Sequence, residues 1–460
     1  MKNCFYITLF AAGVFLAGCH TAAPEKESVK IPEPKPAEPQ KVASEKISDA
    51  ELAKFQIVGT TDKSALSYEK GEEMVFTFKL DSAGVPVDGY YLAYHRRGDD
   101  GVVFSGKQPA KDLLVVKTSL NKPGFVNVDV KLVDAAGKTP IVKKGRRRRP
   151  VGFYAGAAVE PEKLSDCGEP ADFDAFWAKQ RKRLDAVPFT GKTEEKRVSE
   201  INGVGVYQVS IPCVGRPVTG YLLIPDGCKE KSMPAELVTY GYGTYKQPFP
   251  SKSSKKKIQL YINAHGMEMD RDEAYYKEFF KSIRTPRYRY AFNPEENKNP
   301  ETAYFNGMSL RVMRALDYLK SRPEWNGKDL LASGGSQGGL QTMWAAALDQ
   351  DVTEAYPSIT WCCDLAGSEK AGRVHGPWRV KYVPGLDYYD PVFMAKRIKK
   401  AAVHITRAGL GDYTCPPSGL MISYKNLATP DKSITWVQGS DHGFIPEKSE
   451  VIVWKNNKSK

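Results

Sequence analysis

The sequence predicts an α/β chain, a mostly parallel sheet with helices on both faces, preceded by a separate all-β unit. Three observations carry this. After about Pro161, short apolar runs of strand length alternate with stretches of helical periodicity. Before it, short alternating runs are separated by turns alone. Between one of the later strands and a helix lies a serine framed by glycines. At 460 residues the chain is two or three times an ordinary domain, which leaves room for two globular units plus a leader and a linker.

The N-terminal stretch carries one lysine and then an apolar run from Phe5 to Leu16, too short for a stable membrane anchor and expected to be a signal peptide over residues 1–18. The run closes on Leu16-Ala17-Gly18-Cys19, which resembles the bacterial lipobox; Cys19 is the expected lipidation site. The chain is therefore expected to be exported and lipid-anchored to a bacterial membrane, on the periplasmic face or the cell surface. No other segment approaches about 18 uncharged apolar residues, so no transmembrane helix is expected. Residues 19–52 mix five prolines with alternating Glu and Lys. Such a stretch buries too little apolar surface to offset its conformational entropy, and a disordered tether is predicted.

Residues 53–160 read as an immunoglobulin-like β-sandwich. Strands are predicted at Met74–Leu80, Tyr90–Tyr94, Leu113–Val116 and Phe125–Val130, with turns at Asp81-Ser82-Ala83-Gly84 and Asn121-Lys122-Pro123-Gly124. No site residues stand out, so this unit is expected to be a spacer or docking module. In residues 161–460, Asp172 is expected to cap a helix through Leu184, with Phe173, Phe176, Trp177 and Leu184 on one stripe. Strands follow at Gly205–Ile211, Thr219–Pro225 and Leu237–Tyr240, then a helix at Met308–Lys320. Further strands are expected at Leu330–Ser333, Val403–Arg407 and Ile434–Gln438. Strands that alternate with helices imply a mostly parallel sheet.

Charge and cysteine content narrow the function. The net charge of +13 raises the question of a nucleic-acid partner, but an exported location argues against one. The basic cluster of Lys143, Lys144 and Arg146 to Arg149 has no interleaved aromatics. It reads as a solvated edge or interdomain segment, with anionic lipid or acidic polysaccharide as the alternative contact. Cys167, Cys213, Cys228, Cys362, Cys363 and Cys415 remain after the leader and Cys19; their pairing stays open. No Cys-x-x-Cys or His-Glu-x-x-His spacing occurs, so neither a zinc site nor any cofactor is expected.

Gly334-Gly335-Ser336-Gln337-Gly338-Gly339 lies between the strand at Leu330 and an Ala-rich helix. This is the pattern of a nucleophile elbow, a turn so tight that glycine is required on either side of the serine. A hydroxyl needs a base to take its proton. Of the six histidines, His20 falls in the tether, His95 in the β-unit, and His404 inside an apolar strand; His265 and His375 are weaker candidates. His442 follows the last predicted strand. Asp412 follows the strand at Val403, a position that Asp387, Asp390, Asp431 and Asp441 lack. The order Ser336, Asp412, His442 is that of the α/β-hydrolase fold.

From Phe173 onward the chain resembles the acetyl xylan esterase and cephalosporin C deacetylase group, carbohydrate esterase family 7. The resemblance rests on DFDAFW (172–177), GYG (241–243), YFNGMSLRVMRALDYL (304–319), GGSQGG (334–339), GLGDYTCPPS (409–418) and DHGFIP (441–446), over about 270 residues. It implies the same triad, an oxyanion hole from the amides of Tyr242 and Gln337, and removal of acetyl groups from saccharides such as acetylated xylan. Three positions depart from the family: His265-Gly266-Met267 stands where Arg-Gly-Gln is usual, Tyr240 replaces a His, and Gly443 replaces a Glu. Family members often form hexameric rings; the added β-unit and tether leave oligomerisation open. The alternatives are an esterase or prolyl-oligopeptidase-like peptidase with another acyl substrate, and an inactive surface glycan-binding lipoprotein. The first peptidase hallmark, a run of propeller-blade repeats, is missing before Pro161. The intact serine, aspartate and histidine weigh against an inactive protein.

Overall fold

The computed structural model describes residues 47–144 and 147–455. The expected signal peptide, Cys19, His20, most of the expected tether and Arg146 lie outside the described residues. The tether was expected to run to residue 52. Instead the Ser48 hydroxyl and the Glu51 carboxylate cap a short helix, α1 (Asp49–Leu52), reciprocally, and Leu52 is buried.

Nine strands follow: β1 (Gln56–Thr61), β2 (Met74–Asp81), β3 (Tyr90–Gly98), β4 (Phe104–Pro109), β5 (Leu114–Thr118), β6 (Gly124–Asp134), β7 (Ile141–Lys144), β8 (Arg147–Pro150) and β9 (Gly152–Val159). They form antiparallel sheets ordered β1-β2-β5 and β4-β3-β6-β9, with β7-β8 as a separate hairpin. On β2 the alternation is plain, since Met74, Phe76, Phe78 and Leu80 are buried and Lys79 and Asp81 are exposed. Phe78 meets Phe153 edge to face, which joins the two sheets through a shared apolar layer.

The second part holds α2 (Phe173–Asp185), β10 (Glu194–Glu200), β11 (Val204–Ile211), β12 (Val218–Pro225), β13 (Met233–Thr239), β14 (Ile258–Ile262), α3 (Glu273–Ser282), α4 (Pro294–Asn297), α5 (Tyr304–Ser321), β15 (Trp325–Gly335) and α6 (Gln337–Leu348). Then come β16 (Glu354–Ser358), α7 (Gly367–Lys370), α8 (Pro391–Met394), β17 (Ala402–Gly409), α9 (Pro417–Asn426), β18 (Lys432–Val437) and β19 (Val451–Lys455). The ten strands make one sheet, β10-β11-β12-β14-β13-β15-β16-β17-β18-β19.

The sheet is mixed, with five of its nine pairings parallel, as expected of its centre, and four antiparallel. Its centre, from β14 through β18, is parallel, whereas β10, β11, β12 and β19 pair antiparallel. The cause is the length of the connections. β10 and β11 are joined through Asn202-Gly203, both with positive φ, a two-residue turn that permits only a hairpin. Parallel neighbours need a crossover, which α5 and α6 supply in the centre. Asp172 also departs from expectation: its carboxylate accepts from the Tyr388 hydroxyl and makes no cap hydrogen bond to α2.

Apolar packing is continuous from the N-terminal sheets into the layers of the second part. Phe125 of β6 lies against Trp436 of β18, both fully buried, with ring centroids 5.5 Å apart. Cys167, Cys213, Cys228, Cys362, Cys363 and Cys415 all carry free thiols. Among the described residues no helix is long and apolar enough to cross a membrane.

Candidate active site

Ser336 stands between β15 and α6 with φ 59° and ψ −118°. A non-glycine residue at positive φ is strained, so its surroundings must hold it there. They do so with three hydrogen bonds: its N–H donates to Ser358 O at 2.9 Å, and its carbonyl accepts from Leu340 N and Trp361 N, each at 3.1 Å. The flanking glycines explain the motif. A Cβ at Gly334 would fall 2.4 Å from Thr239 Oγ1 and 2.7 Å from the Gly338 backbone; one at Gly338 would fall 2.6 Å from Thr239 O.

The three polar residues singled out in the sequence meet here. His442 Nε2 is 3.0 Å from Ser336 Oγ, and His442 Nδ1 is 2.9 Å from Asp412 Oδ2. Asp412 is fully buried, and its other oxygen accepts from Thr414 N at 2.9 Å and Cys415 N at 3.1 Å. Those two amides fix the carboxylate so that one oxygen faces the imidazole. The His442 ring is 30 % exposed, enough to meet a substrate. Cys415 Sγ lies 3.7 Å from His442 Nδ1. Burial, reinforced by Asp412, pushes its thiol well above the ordinary range, so it stays protonated beside the pair. One donor atom from each of Asp412, Cys415 and His442 lies within 4.8 Å of the others, so a soft cation would have to compete with the Asp412–His442 hydrogen bond.

Gln337 is the first residue of α6, where backbone N–H groups have no partner within the helix and the helix dipole is positive. Tyr242 belongs to the segment after β13. The adjacent Gly241 lies beside the elbow, where a Cβ would be 3.6 Å from Gly335 O and 3.9 Å from Ser336 Cβ. Tyr242 stacks flat on Tyr290, centroids 4.1 Å apart, and donates its hydroxyl hydrogen bond to Tyr290 O. The Tyr290 hydroxyl links both segments, accepting from Gly243 N at 3.1 Å and donating to the Gln337 side-chain oxygen at 2.8 Å.

Sequence reasoning missed Tyr290, and it weighed His265 only as a possible base. His265 is buried, with Nε2 2.9 Å from Gly243 O and Nδ1 2.7 Å from the Tyr304 hydroxyl. Both ring nitrogens are therefore engaged, Nε2 with the Tyr242 segment and Nδ1 with the first residue of α5. Burial lowers its pKa to about 4, so the ring is neutral, donating from Nε2 and accepting at Nδ1. His375 is lowered to about 4 in the same way. His404 bonds Ser433 Oγ and His95 bonds Ser105 Oγ, each between neighbouring strands. Tyr240 turns to Tyr261, while Trp361 and Trp378 pack against Tyr242.

Known proteins resemble this chain in sequence and fold. Residues 164–370 match the family model described as acetyl xylan esterase (AXE1), a span that includes Tyr242 and Ser336. The chain is 28 % identical over 346 residues to acetyl esterase Axe7A of Xylanibacter ruminicola, covering 72 % of this chain and 74 % of that protein. The chain is an acetyl xylan esterase-like serine carboxylic ester hydrolase. The fold of this esterase is similar to that of the acetyl xylan esterase from Paenibacillus sp. R4, with a TM-score of 0.52, 24 % identity, and coverage of 61 % of this chain and 92 % of that one. A further likeness is to acetyl xylan esterase 1 from Thermoanaerobacterium sp. JW/SL YS485, with a TM-score of 0.49, 19 % identity, and the same coverages of 61 % and 92 %. The esterase thus has the α/β-hydrolase fold with a mixed sheet.

Proposed function

We propose that this esterase removes acetyl groups from oligo- or polysaccharides such as acetylated xylan, through an acyl-enzyme on Ser336. The observation that carries this is the hydrogen-bonded line from Asp412 through His442 to Ser336 Oγ. Ser336 Oγ attacks the ester carbonyl as His442 Nε2 takes its proton, and the amides of Tyr242 and Gln337 hold the oxyanion. His442 then gives the proton to the departing sugar oxygen. Water, deprotonated by the same ring, attacks the acetyl carbonyl, releases acetate and restores Ser336. The half-buried rings of Tyr242 and Trp378 suit contact with a sugar face.

The test offers purified protein a small acetyl ester, acetylated xylan and a peptide amide. Acetate release from the first two and none from the amide is expected. Ser336→Ala should lower turnover by about 10⁴-fold or more. Turnover unaffected by that change would remove the mechanism, and binding of xylan without turnover by the wild type would favour a glycan-binding lipoprotein.

The same reading divides the chain into a signal peptide (1–18), a tether ending before α1, an immunoglobulin-like sandwich (53–160) and the catalytic domain (161–460). Lipidation of Cys19 would place the enzyme on a bacterial membrane facing exported glycan. Labelled palmitate should enter the wild type but not Cys19→Ala; label in the variant would refute the anchor.

A further inference from the structure

We propose that the N-terminal β-domain positions the catalytic acid and base, its seam against the hydrolase sheet holding the Gly409–Cys415 and Gly439–Phe444 loops so that Asp412 and His442 stay in line with Ser336. The inference rests on the Ser336–His442–Asp412 reading above.

The two loops leave the ends of β17 and β18 side by side, with Gly411 N donating to Ser440 O at 3.1 Å and Leu410 N to Val437 O at 3.0 Å. Their other side is built by β9. Tyr154 N donates to Gly439 O at 3.2 Å. Gln438, four residues before His442 and 1 % exposed, clamps both polar atoms of Gly156: its Oε1 accepts from Gly156 N at 2.9 Å and its Nε2 donates to Gly156 O at 2.8 Å. The same Oε1 accepts from Gly439 N at 3.1 Å. One side chain thus substitutes for a missing rung of β-ladder between the domains.

The seam is tight enough to require glycine on both sides. A Cβ on Gly156 would sit 2.3 Å from Leu410 O, and one on Gly411 would sit 2.2 Å from Tyr154 O. Further contacts flank the same loops. The Arg97 guanidinium covers the Tyr413 ring at 4.4 Å, and Arg149 Nη2 donates to Gly443 O at 2.7 Å while lying over Phe444. Buried Asp99 accepts from Val374 N at 2.9 Å, and two residues on, Gly376 N donates to Tyr413 O at 2.8 Å. Asp412 and His442 are therefore each bracketed, within three residues, by contacts to β-domain atoms. Proton transfer from Ser336 tolerates displacements of only about 0.5 Å, so a seam of this kind governs rate through geometry.

The experiment compares kcat and KM for a small acetyl ester, and the rate of covalent labelling of Ser336 by an organophosphonate, in Gln438→Leu, Arg149→Ala and a control. The control, Met74→Ala, empties the β-domain core on β2 without removing a seam hydrogen bond. Gln438→Leu should lower kcat and the labelling rate together by about tenfold or more, with KM within about twofold. Arg149→Ala, a surface change that does not threaten folding, should lower both by about threefold. Met74→Ala, assayed below its melting temperature, should keep kcat within about twofold despite lost stability. If Gln438→Leu fails to fold, Arg149→Ala decides. Seam variants that match the wild type, or that lose no more than Met74→Ala, overturn the proposal. A wild type that is not labelled at Ser336 takes down the triad reading and this inference with it.

Discussion

Asp412 shows how a single carboxylate sets a proton. Oδ1 is held by the Thr414 and Cys415 amides, so Oδ2 must face His442 Nδ1, which then carries the hydrogen and leaves Nε2 free to accept from Ser336. In Asp412→Asn the same two amides keep the remaining carbonyl oxygen, and the new NH₂ group points at Nδ1. The imidazole hydrogen moves to Nε2, where it cannot accept a proton. The expected result is a kcat lower by on the order of 10⁴-fold with an unchanged fold, read by steady-state kinetics and circular dichroism. His265 carries a different consequence. Its folded pKa of about 4 lies below the unfolded value of about 6.5, so the unfolded chain binds the extra proton first as pH falls. The stability that neutral His265 contributes is present above pH 6.5 and is lost between 6.5 and 4. Relative to His265→Gln, which has no proton to gain, the wild type should lose up to about 3 kcal/mol between pH 7 and pH 4.5 in urea midpoints. A difference independent of pH would refute a neutral buried ring.

At the level of elements, what could be read from the sequence was what lies close together along the chain. The elbow was legible because strand, glycine-framed serine and helix are consecutive, and Asp412 and His442, which the fold brings to Ser336, lie in the loops after β17 and β18. Four strands of the parallel centre, β13, β15, β17 and β18, were legible from apolar runs such as Leu330–Ser333, whereas β14 and β16 were not read. β10 was not: all seven of its residues are exposed, so Glu194–Glu200 has no buried face to mark it, and its place is fixed by the Asn202-Gly203 turn and pairing with β11. β19 lies past the histidine loop and pairs back onto β18, with Val451 and Val453 facing solvent. Tyr290 was illegible for another reason, since its partners Gly243 and Gln337 are each 47 residues away. It ties the element after β13 to the first turn of α6. Tyr290→Phe leaves the Gly243 N–H and the Gln337 oxygen without that hydroxyl. We expect a loss of about 1–2 kcal/mol in stability and about a tenfold fall in kcat with little change in KM. A kcat equal to wild type would mean that the two amides are set by the backbone alone.

On the scale of the molecule, the expectation of a β-unit serving as spacer fails to describe how it is joined to the hydrolase. A spacer would meet its neighbour through a small, wet contact. Here Phe125 and Trp436 are both fully buried against each other, Gln438 is sealed between the sheets, and the apolar core runs across the boundary without a break. Separation would expose those rings and leave the Gly156 peptide and the Gln438 amide to find water partners. The two parts should therefore unfold together. Scanning calorimetry of the whole chain should give one transition, with calorimetric and van 't Hoff enthalpies in agreement. A chain beginning at residue 161 should be insoluble or bind hydrophobic dye strongly, because Trp436 and its neighbours lose their cover. Two resolved transitions, with a hydrolase part that stays soluble and melts at its original temperature, would show that the boundary is a hinge and not a shared core.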